Sequence, residues 1–309
     1  MFLCLKYKEM KILKRLSRKE FREDFGTAEQ CLRYLSNEKW GELYRCKKCK
    51  NDKYCSGKKA FNRRCSKCGY DESPTANTLF HKLKFGVENA FEMVYDISIS
   101  KKGANSIWLA ERHGVKQMTA WLFRRKVQQA MKSSKNFPLE DEVHVDEFEI
   151  GTPQKKEQGR SKSEKKIRVV IALEYRAGKA GRGYAKVIQD YSSKSLEKIF
   201  NVHISKDAKI TTDGWSGYKP IKNKHPHFEQ KLSNKGQNFK MLHIQIRNFK
   251  NWLKGVHSYC NKETVNQYIE EYFFRFNRMN FRETILEKLL CRMINEKPIN
   301  YKSIKCNAT

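Results

Sequence analysis

Val143-His144-Val145-Asp146-Glu147-Phe148-Glu149-Ile150-Gly151 alternates apolar and polar residues around a central acid, the pattern of a β-strand. Period-two geometry sends Val143, Val145 and Glu147 to one face, and His144, Asp146, Phe148 and Ile150 to the other. Asp146 therefore shares its face with Phe148 and Ile150, where an ionised carboxylate is costly to desolvate unless a cation compensates it. The placement suggests a metal ligand. A solvated or salt-bridged acid is the plainer reading of this stretch taken alone.

Downstream, Thr152 to Lys166 is highly charged and poor in apolar residues, hence a loop. Ile167 to Tyr175 and Tyr184 to Gln189 read as strands, Ser193 to Phe200 as a short helix, and Ala208 to Thr212 as a strand ending at Asp213-Gly214. In Thr211-Thr-Asp-Gly-Trp-Ser-Gly-Tyr218, a glycine after the acid frees the backbone to project a carboxylate, although most Asp-Gly pairs are simply turns. Ile246 to Gly255 has helical spacing, with Asn248 and Lys254 six positions apart and able to line one end of a site.

Upstream, residues 27 to 40 have the spacing of an amphipathic helix with Thr27 as N-cap. Cys46-x2-Cys49 and Cys65-x2-Cys68, with fifteen residues between them, have the spacing of a structural zinc site built from two knuckles. Cys55 lies between the knuckles and reads as a bystander thiol, with a substitute ligand as the other possibility. Phe85 to Ile99, Ser106 to Gly114 with Ser106 as N-cap, and Lys116 to Met131 follow as helices. Helix, glycine turn and basic helix form the pattern of a helix-turn-helix. On that reading Ile107, Leu109, Ala110, Val115, Trp121 and Leu122 are core, while Lys116, Gln117, Thr119, Arg124 and Arg125 face outward to meet DNA. An ordinary helical hairpin with a solvated basic face is the alternative. Residues 132 to 142 read as a linker.

The 309 residues carry 64 Lys and Arg against 34 Asp and Glu, a formal charge of +30 spread along the chain, which favours a polyanionic partner, nucleic acid first. The basic N-terminus has apolar runs too short for a signal peptide, and no run is long enough to span a membrane. A cytoplasmic, nucleoid-associated protein is expected. In that compartment ten cysteines read as metal ligands and buried thiols in place of disulfides.

Three strands, a helix and a fourth strand tipped with an acid resemble the ribonuclease-H-like α/β fold, in which the first and fourth strands are neighbours. Asp146, Asp213 and Asn248 in their three stretches look like the catalytic core of a DDE-type transposase. The chain more specifically resembles the transposases of insertion-sequence family 1595, related to the Merlin elements. The motifs that carry the resemblance are the two cysteine knuckles, Ser100-Lys-Lys-Gly103, Val145-Asp-Glu147, Thr212-Asp-Gly214, Asn248-x5-Lys254-Gly-x-His257 and Tyr268-Ile-Glu-Glu-Tyr-Phe-Phe-Arg-Phe-Asn277, over roughly residues 27 to 280.

The resemblance implies binding of terminal inverted repeats, metal-dependent cleavage of double-stranded DNA at the element's ends, and joining of 3'-hydroxyls to target DNA. It also implies a homo-oligomer in the DNA complex. Asp146 and Asp213 would hold two Mg2+ (or Mn2+) ions, and the four knuckle cysteines would hold Zn2+. Many relatives carry Glu as the third ligand, whereas this chain has Arg247-Asn248. Asn248 with Lys254 fits a branch that uses Asn, and Lys254 would contact a DNA phosphate. Glu270 and Glu271 are alternatives set in a packing helix. His243 and His257 fall where relatives place histidines. The stripe Tyr268, Tyr272, Phe273 and Phe276 reads as core.

The expected organisation is an N-terminal helical extension (1–40), a zinc ribbon (41–80), a helix-turn-helix region (81–134), a ribonuclease-H-like catalytic domain (135–280) and a C-terminal helix and tail (281–309). The competing function is a sequence-specific DNA-binding protein, derived from a transposase, whose catalytic domain is inactive. A structure-specific nuclease is a third.

Overall fold

The computed structural model describes residues 16–41, 43–151, 166–257, 260, 262–301 and 304. The loop expected over Thr152 to Lys166 falls, up to residue 165, outside the described residues, as do the first fifteen residues and most of the tail beyond Tyr301. The chain is a mixed α/β protein in two compact units, Met1–Ala130 with Phe281–Tyr301, and Met131–Asn280 with Lys302–Thr309.

In the first unit, α1 (Arg18–Phe25) and α2 (Ala28–Trp40) each begin at a capping box, Ser17 with Glu20 and Thr27 with Gln30, so side chains satisfy amides that have no helical partner. Three short antiparallel strands follow, β1 (Tyr54–Ser56), β2 (Arg63–Cys65) and β3 (Asp71–Glu72), then α3 (Val87–Ile99), α4 (Ser106–His113) and α5 (Gln117–Ala130). The N-cap of α4 is Asn105 and not Ser106: the Trp108 amide donates to Asn105 Oδ1 at 2.8 Å. Gly114, at φ 61°, ends α4 in the left-handed conformation that glycine adopts without a Cβ penalty. The C-terminal helix Ile285–Asn295 packs on α2, α3 and α5, and the Leu79 amide donates to the carbonyl of Met293. At the centre, the buried Asp96 of α3 accepts from Arg18, Arg112 and His113. Burial alone would raise this carboxyl, but those bonds outweigh it and hold it below the usual range.

The second unit is built on a five-stranded sheet of β4 (Glu142–Ile150), β5 (Ile167–Arg176), β6 (Lys179–Ile188), β7 (Lys209–Thr212) and β8 (Phe228–Gln230), in the order β6-β5-β4-β7-β8. The β6-β5-β4 pairings are antiparallel, and β7 and β8 run parallel to β4. β6 begins five residues before the expected Tyr184. Lys179–Gly183 lack β-branched residues, but the left-handed turn at Ala177 (φ 49°) and Gly178 (φ 73°) folds them back onto β5. Helices α6 (Ser193–His203), α7 (Lys219–Lys222), α8 (Lys240–Val256) and α9 (Val265–Phe276) complete the unit.

Both faces of the sheet are covered. Val143 and Val145 look toward α6, where Leu196, Ile199, Phe200 and Tyr218 close one core; Phe148 looks toward α8 and α9, where Leu242, Phe249, Ile269 and Phe273 close the other. Tyr268, Tyr272, Phe273 and Phe276 belong to this second core. Each fully buried side chain of this size contributes about 1.5–3 kcal/mol, so β4 is anchored from above and below. That rigidity holds the acids of β4 at fixed positions.

Candidate metal centre

The parallel register of β4 with β7 decides the geometry. Val145 pairs with Thr212, so Asp146 and Asp213, each one residue further on, leave adjacent strands side by side. Neighbouring strands lie about 4.8 Å apart. Ligand oxygens of Asp146, Glu147 and Asp213 accordingly lie within 4.8 Å of one another, all three residues being half-buried.

Local bonds aim each carboxylate. Asp146 Oδ1 accepts the Glu147 amide at 2.7 Å, and its Oδ2 stands 3.0 Å from His243 Nε2. Asp213 Oδ1 accepts the Trp215 amide at 3.1 Å, closing a tight turn, and the Gln230 side chain donates to the carbonyls of Asp213 and Trp215. The Trp215 indole donates to Tyr191 O at 3.0 Å, a contact that depends on Gly217: a Cβ there would meet the indole nitrogen at 2.6 Å. Gly217, and not the Gly214 singled out from sequence, is the glycine this turn requires. The pairing with Asp146 raises the pKa of His243 above its usual value, against the opposite pull of burial.

Tyr218 supplies a test of whether a cation fits. Its ring is fully buried, and its hydroxyl faces Glu147 and hydrogen-bonds to it. Burial first, then Glu147, Asp146 and Asp213, drive the phenol's pKa well above its ordinary value. Three carboxylates at 4.8 Å repel one another by roughly 3 kcal/mol per pair at an effective dielectric near 20. A divalent ion would supply the positive charge that three acids gathered beside a buried phenol call for. The oxygen-only donor set suits Mg2+ or Mn2+.

Helix α8 packs on the face of the sheet that carries Phe148 and reaches Asp146 through His243. Its residues His243, Arg247, Lys250 and Lys254, spaced four, three and four, share one flank. His243 meets Asp146, and the Lys250 ammonium lies over the Phe148 ring at 5.4 Å. Lys254 is exposed on this flank, three turns beyond His243. Asn248, expected as the third metal ligand, lies about 140° round the axis from His243. It is exposed beside the flank where Gln245 and Trp252 meet Tyr272. The structure thus brings His243, and not Asn248, to Asp146. Neither alternative acid joins the cluster: Glu270 accepts the Ser133 amide and Glu271 is buried against Arg275. His257 stacks on Tyr268 and packs edge-on to Trp252.

Sequence reasoning missed Glu147 as a member of the cluster. The signal was present, since Glu147 alternates with the core residues Val143 and Val145, the same reasoning that singled out Asp146.

In the first unit Cys46, Cys49, Cys65 and Cys68 converge, with Cys46–Cys68 and Cys49–Cys65 sulfur separations of 3.6 and 3.5 Å. Tetrahedral zinc with bonds of about 2.3 Å needs sulfurs about 3.8 Å apart, so the cluster fits a zinc ribbon. The two knuckles are built alike: Lys50 N donates to Cys46 O and Gly69 N to Cys65 O, and both turns end at positive φ. Amides of Cys49 and Lys48 lower the Cys46 pKa and those of Cys68 and Lys67 lower Cys65 to about 6, whereas burial and the three neighbouring sulfurs push Cys68 up to about 12, as expected of four thiols crowded together without a cation. Cys55, exposed with its thiol toward Arg64 O, stays outside the cluster.

The residues expected at DNA divide. Lys116 and Gln117 are exposed and Thr119 is partly so, whereas Arg124 and Arg125 are each only 3% exposed, which corrects the outward placement. Arg124 Nε donates to Ala104 O at 2.6 Å, and Arg125 donates to Gln128 and lies over Trp121. The second half of α5 is buried nearly all round, so periodicity there does not separate inside from outside. Ile107, expected in the core, is 59% exposed.

No helix among the described residues is long and apolar enough to cross a membrane. No curated protein matches the chain. Residues 138–277, slightly under half the chain and including β4, β7, α8 and the three-acid cluster, match the family described as the ISXO2-like transposase domain. The chain carries, over those residues, a transposase domain of insertion-sequence family 1595.

Proposed function

We propose that the chain is a transposase that binds the terminal inverted repeats of its own insertion sequence, cuts at the element's ends and joins the 3'-hydroxyls to target DNA. The observation that carries this reading is the meeting of Asp146 and Asp213 on adjacent parallel strands, inside a domain of transposase type. The sheet order, with the first and fourth strands adjacent, supports a ribonuclease-H-like catalytic domain. We take 135–280 as that domain, 41–80 as a zinc ribbon and 81–134 as a helix-turn-helix, after a helical extension (1–40) and before a C-terminal helix and tail (281–309).

Asp146 and Asp213 would hold divalent ions, Mg2+ or Mn2+, and the four cysteines Zn2+. Bound divalent ions supply Lewis acidity at the phosphate and lower the pKa of the attacking water or 3'-hydroxyl. The protein's own part is orientation. The Glu147 amide fixes Asp146, and the Trp215 amide with the Gln230 side chain fixes the Asp213 turn. Lys254 and its neighbours on the same flank of α8 would hold the DNA phosphate backbone beside the acids, and Lys116, Gln117 and Thr119 would contact the end sequence. Two copies of the chain, one at each element end, would form the working complex in the nucleoid-bearing cytoplasm.

Purified protein with end-containing duplex and Mg2+ or Mn2+ should nick and join strands, and Asp146→Ala should abolish both steps. Undiminished joining by Asp146→Ala would refute the assignment. One observation favours a second reading, a transposase-derived DNA-binding protein without catalysis: α8 contributes no carboxylate, and Arg247 lies one turn from His243 on the Asp146 flank. End binding by the parent without any strand transfer in either metal would select it.

A further inference from the structure

We propose that His243 is a ligand of a divalent ion on the α8 side of Asp146, and that its nitrogen makes this site prefer Mn2+ to Mg2+. The inference rests on the reading above that Asp146 and Asp213 hold divalent ions.

His243 Nε2 lies 3.0 Å from Asp146 Oδ2. Adjacent ligands of an octahedral ion with bonds of about 2.1 Å stand about 3.0 Å apart. The two side chains therefore already span one edge of such a shell. Among the described residues no third His, Cys, Asp or Glu ligand joins the His243–Asp146 pair, so the protein would give an ion there these two ligands, with water or a DNA phosphate completing the shell.

The imidazole has a prepared seat. Gly236, at φ +85°, lies against the ring, and a Cβ built on it would come within 2.5 Å of Nδ1 and 2.9 Å of Cε1. No other residue type leaves this space while adopting this backbone angle at low cost. On the same flank Arg247, Lys250 and Lys254 are cations without a lone pair to offer at neutral pH. His243 is accordingly the donor that this flank presents once a metal ion displaces the proton that Asp146 favours on the ring. Imidazole suits Mn2+ better than Mg2+, which keeps to oxygen ligands and holds its waters tightly. A histidine that only neutralises Asp146 would show the same contact in the metal-free protein, and the test separates that role from ligation.

The full-length chain, loaded first with Zn2+ to fill the cysteine site, is titrated with Mn2+ alone and studied by electron spin-echo envelope modulation, which detects nitrogen bound directly to Mn2+. The expected result is an imidazole nitrogen signal in the parent that is lost in His243→Gln, with Mn2+ affinity down about tenfold and Mg2+ affinity changed less than about threefold. His243→Asp, with an oxygen in the same seat, should shift the preference back toward Mg2+. Mn2+ bound without nitrogen modulation in the parent, or a signal unchanged in His243→Gln, overturns the inference. Asp146→Asn distinguishes that failure from failure of the underlying reading: if Mn2+ binding survives this substitution, the acidic site itself is wrongly assigned, whichever way His243 behaves.

Discussion

Gly236→Ala should separate the placement of His243 from general stability. The alanine pays about 1–2 kcal/mol for left-handed backbone at φ +85°. Its Cβ also forces the imidazole back from 2.5 Å to ordinary contact at 3.4 Å, a retreat of about 0.9 Å. Coordinating groups tolerate displacements of about 0.5 Å, so Mn2+ affinity should fall about tenfold, near 1.4 kcal/mol. Gly178→Ala is the control, because Gly178 has φ +73° and nothing within 4 Å of an added Cβ. Urea unfolding should show losses of similar size for both variants, whereas calorimetric Mn2+ titration should show weakened binding for Gly236→Ala alone. Parental Mn2+ affinity in both variants, alongside equal stability losses, would refute the idea that Gly236 seats a metal ligand.

Further expectations concern the rest of the chain. His203 is stacked on Tyr184, and burial, with Lys186 and Lys135 adding to it, lowers its pKa to about 4 from 6.5. The unfolded chain therefore takes up the proton first as pH falls, so this contribution is complete above about pH 6.5, declines by up to about 1.4 kcal/mol per pH unit, and is lost by about pH 4, roughly 3 kcal/mol in all. Urea midpoints across that range should fall less steeply in His203→Phe; parallel curves would show that His203 does not titrate as described. Removal of zinc by a chelator should expose four reactive thiols and release amide protection in β1, β2 and β3, since structural zinc supplies about 10–16 kcal/mol of folding energy in small modules; thiol titration with hydrogen exchange checks it, and protection that persists without metal would count against a structural role. Arg124→Ala should cost about 1–3 kcal/mol by stranding Ala104 O, whereas Lys116→Ala should leave stability within about 0.5 kcal/mol and weaken binding to end DNA. Equal stability losses would mean that the two basic residues share one environment.

The features legible in sequence were those set by local spacing. Thiolates two residues apart on a tight turn can serve one ion, so the cysteine knuckles could be read directly. The alternation of β4 identified the strand that carries Asp146. The adjacency of β4 and β7 rests on hydrogen bonds between segments more than sixty residues apart, which only resemblance to a known fold could suggest. The weaker inferences rested on residue type without phase. Asn248 was chosen for its amide without regard to helical phase, which sets it about 140° round α8 from His243, the residue of that helix that meets Asp146. Arg124 and Arg125 were placed outside because they are charged, yet carbonyl and amide oxygens receive their guanidinium groups in a buried segment. Glu147 was set on the opposite face of the strand from Asp146, yet its longer side chain brings an oxygen within 4.8 Å of both aspartates.

The central claim is that two aspartates distant in sequence grip a divalent ion together. Crystals of the full chain soaked in Mn2+, with anomalous scattering recorded at the manganese edge, address it directly. The account predicts a peak within about 2.0–2.4 Å of carboxylate oxygens from both Asp146 and Asp213, with zinc at the four cysteines as an internal reference. A zinc peak at the cysteines together with no manganese between those two carboxylates would contradict it.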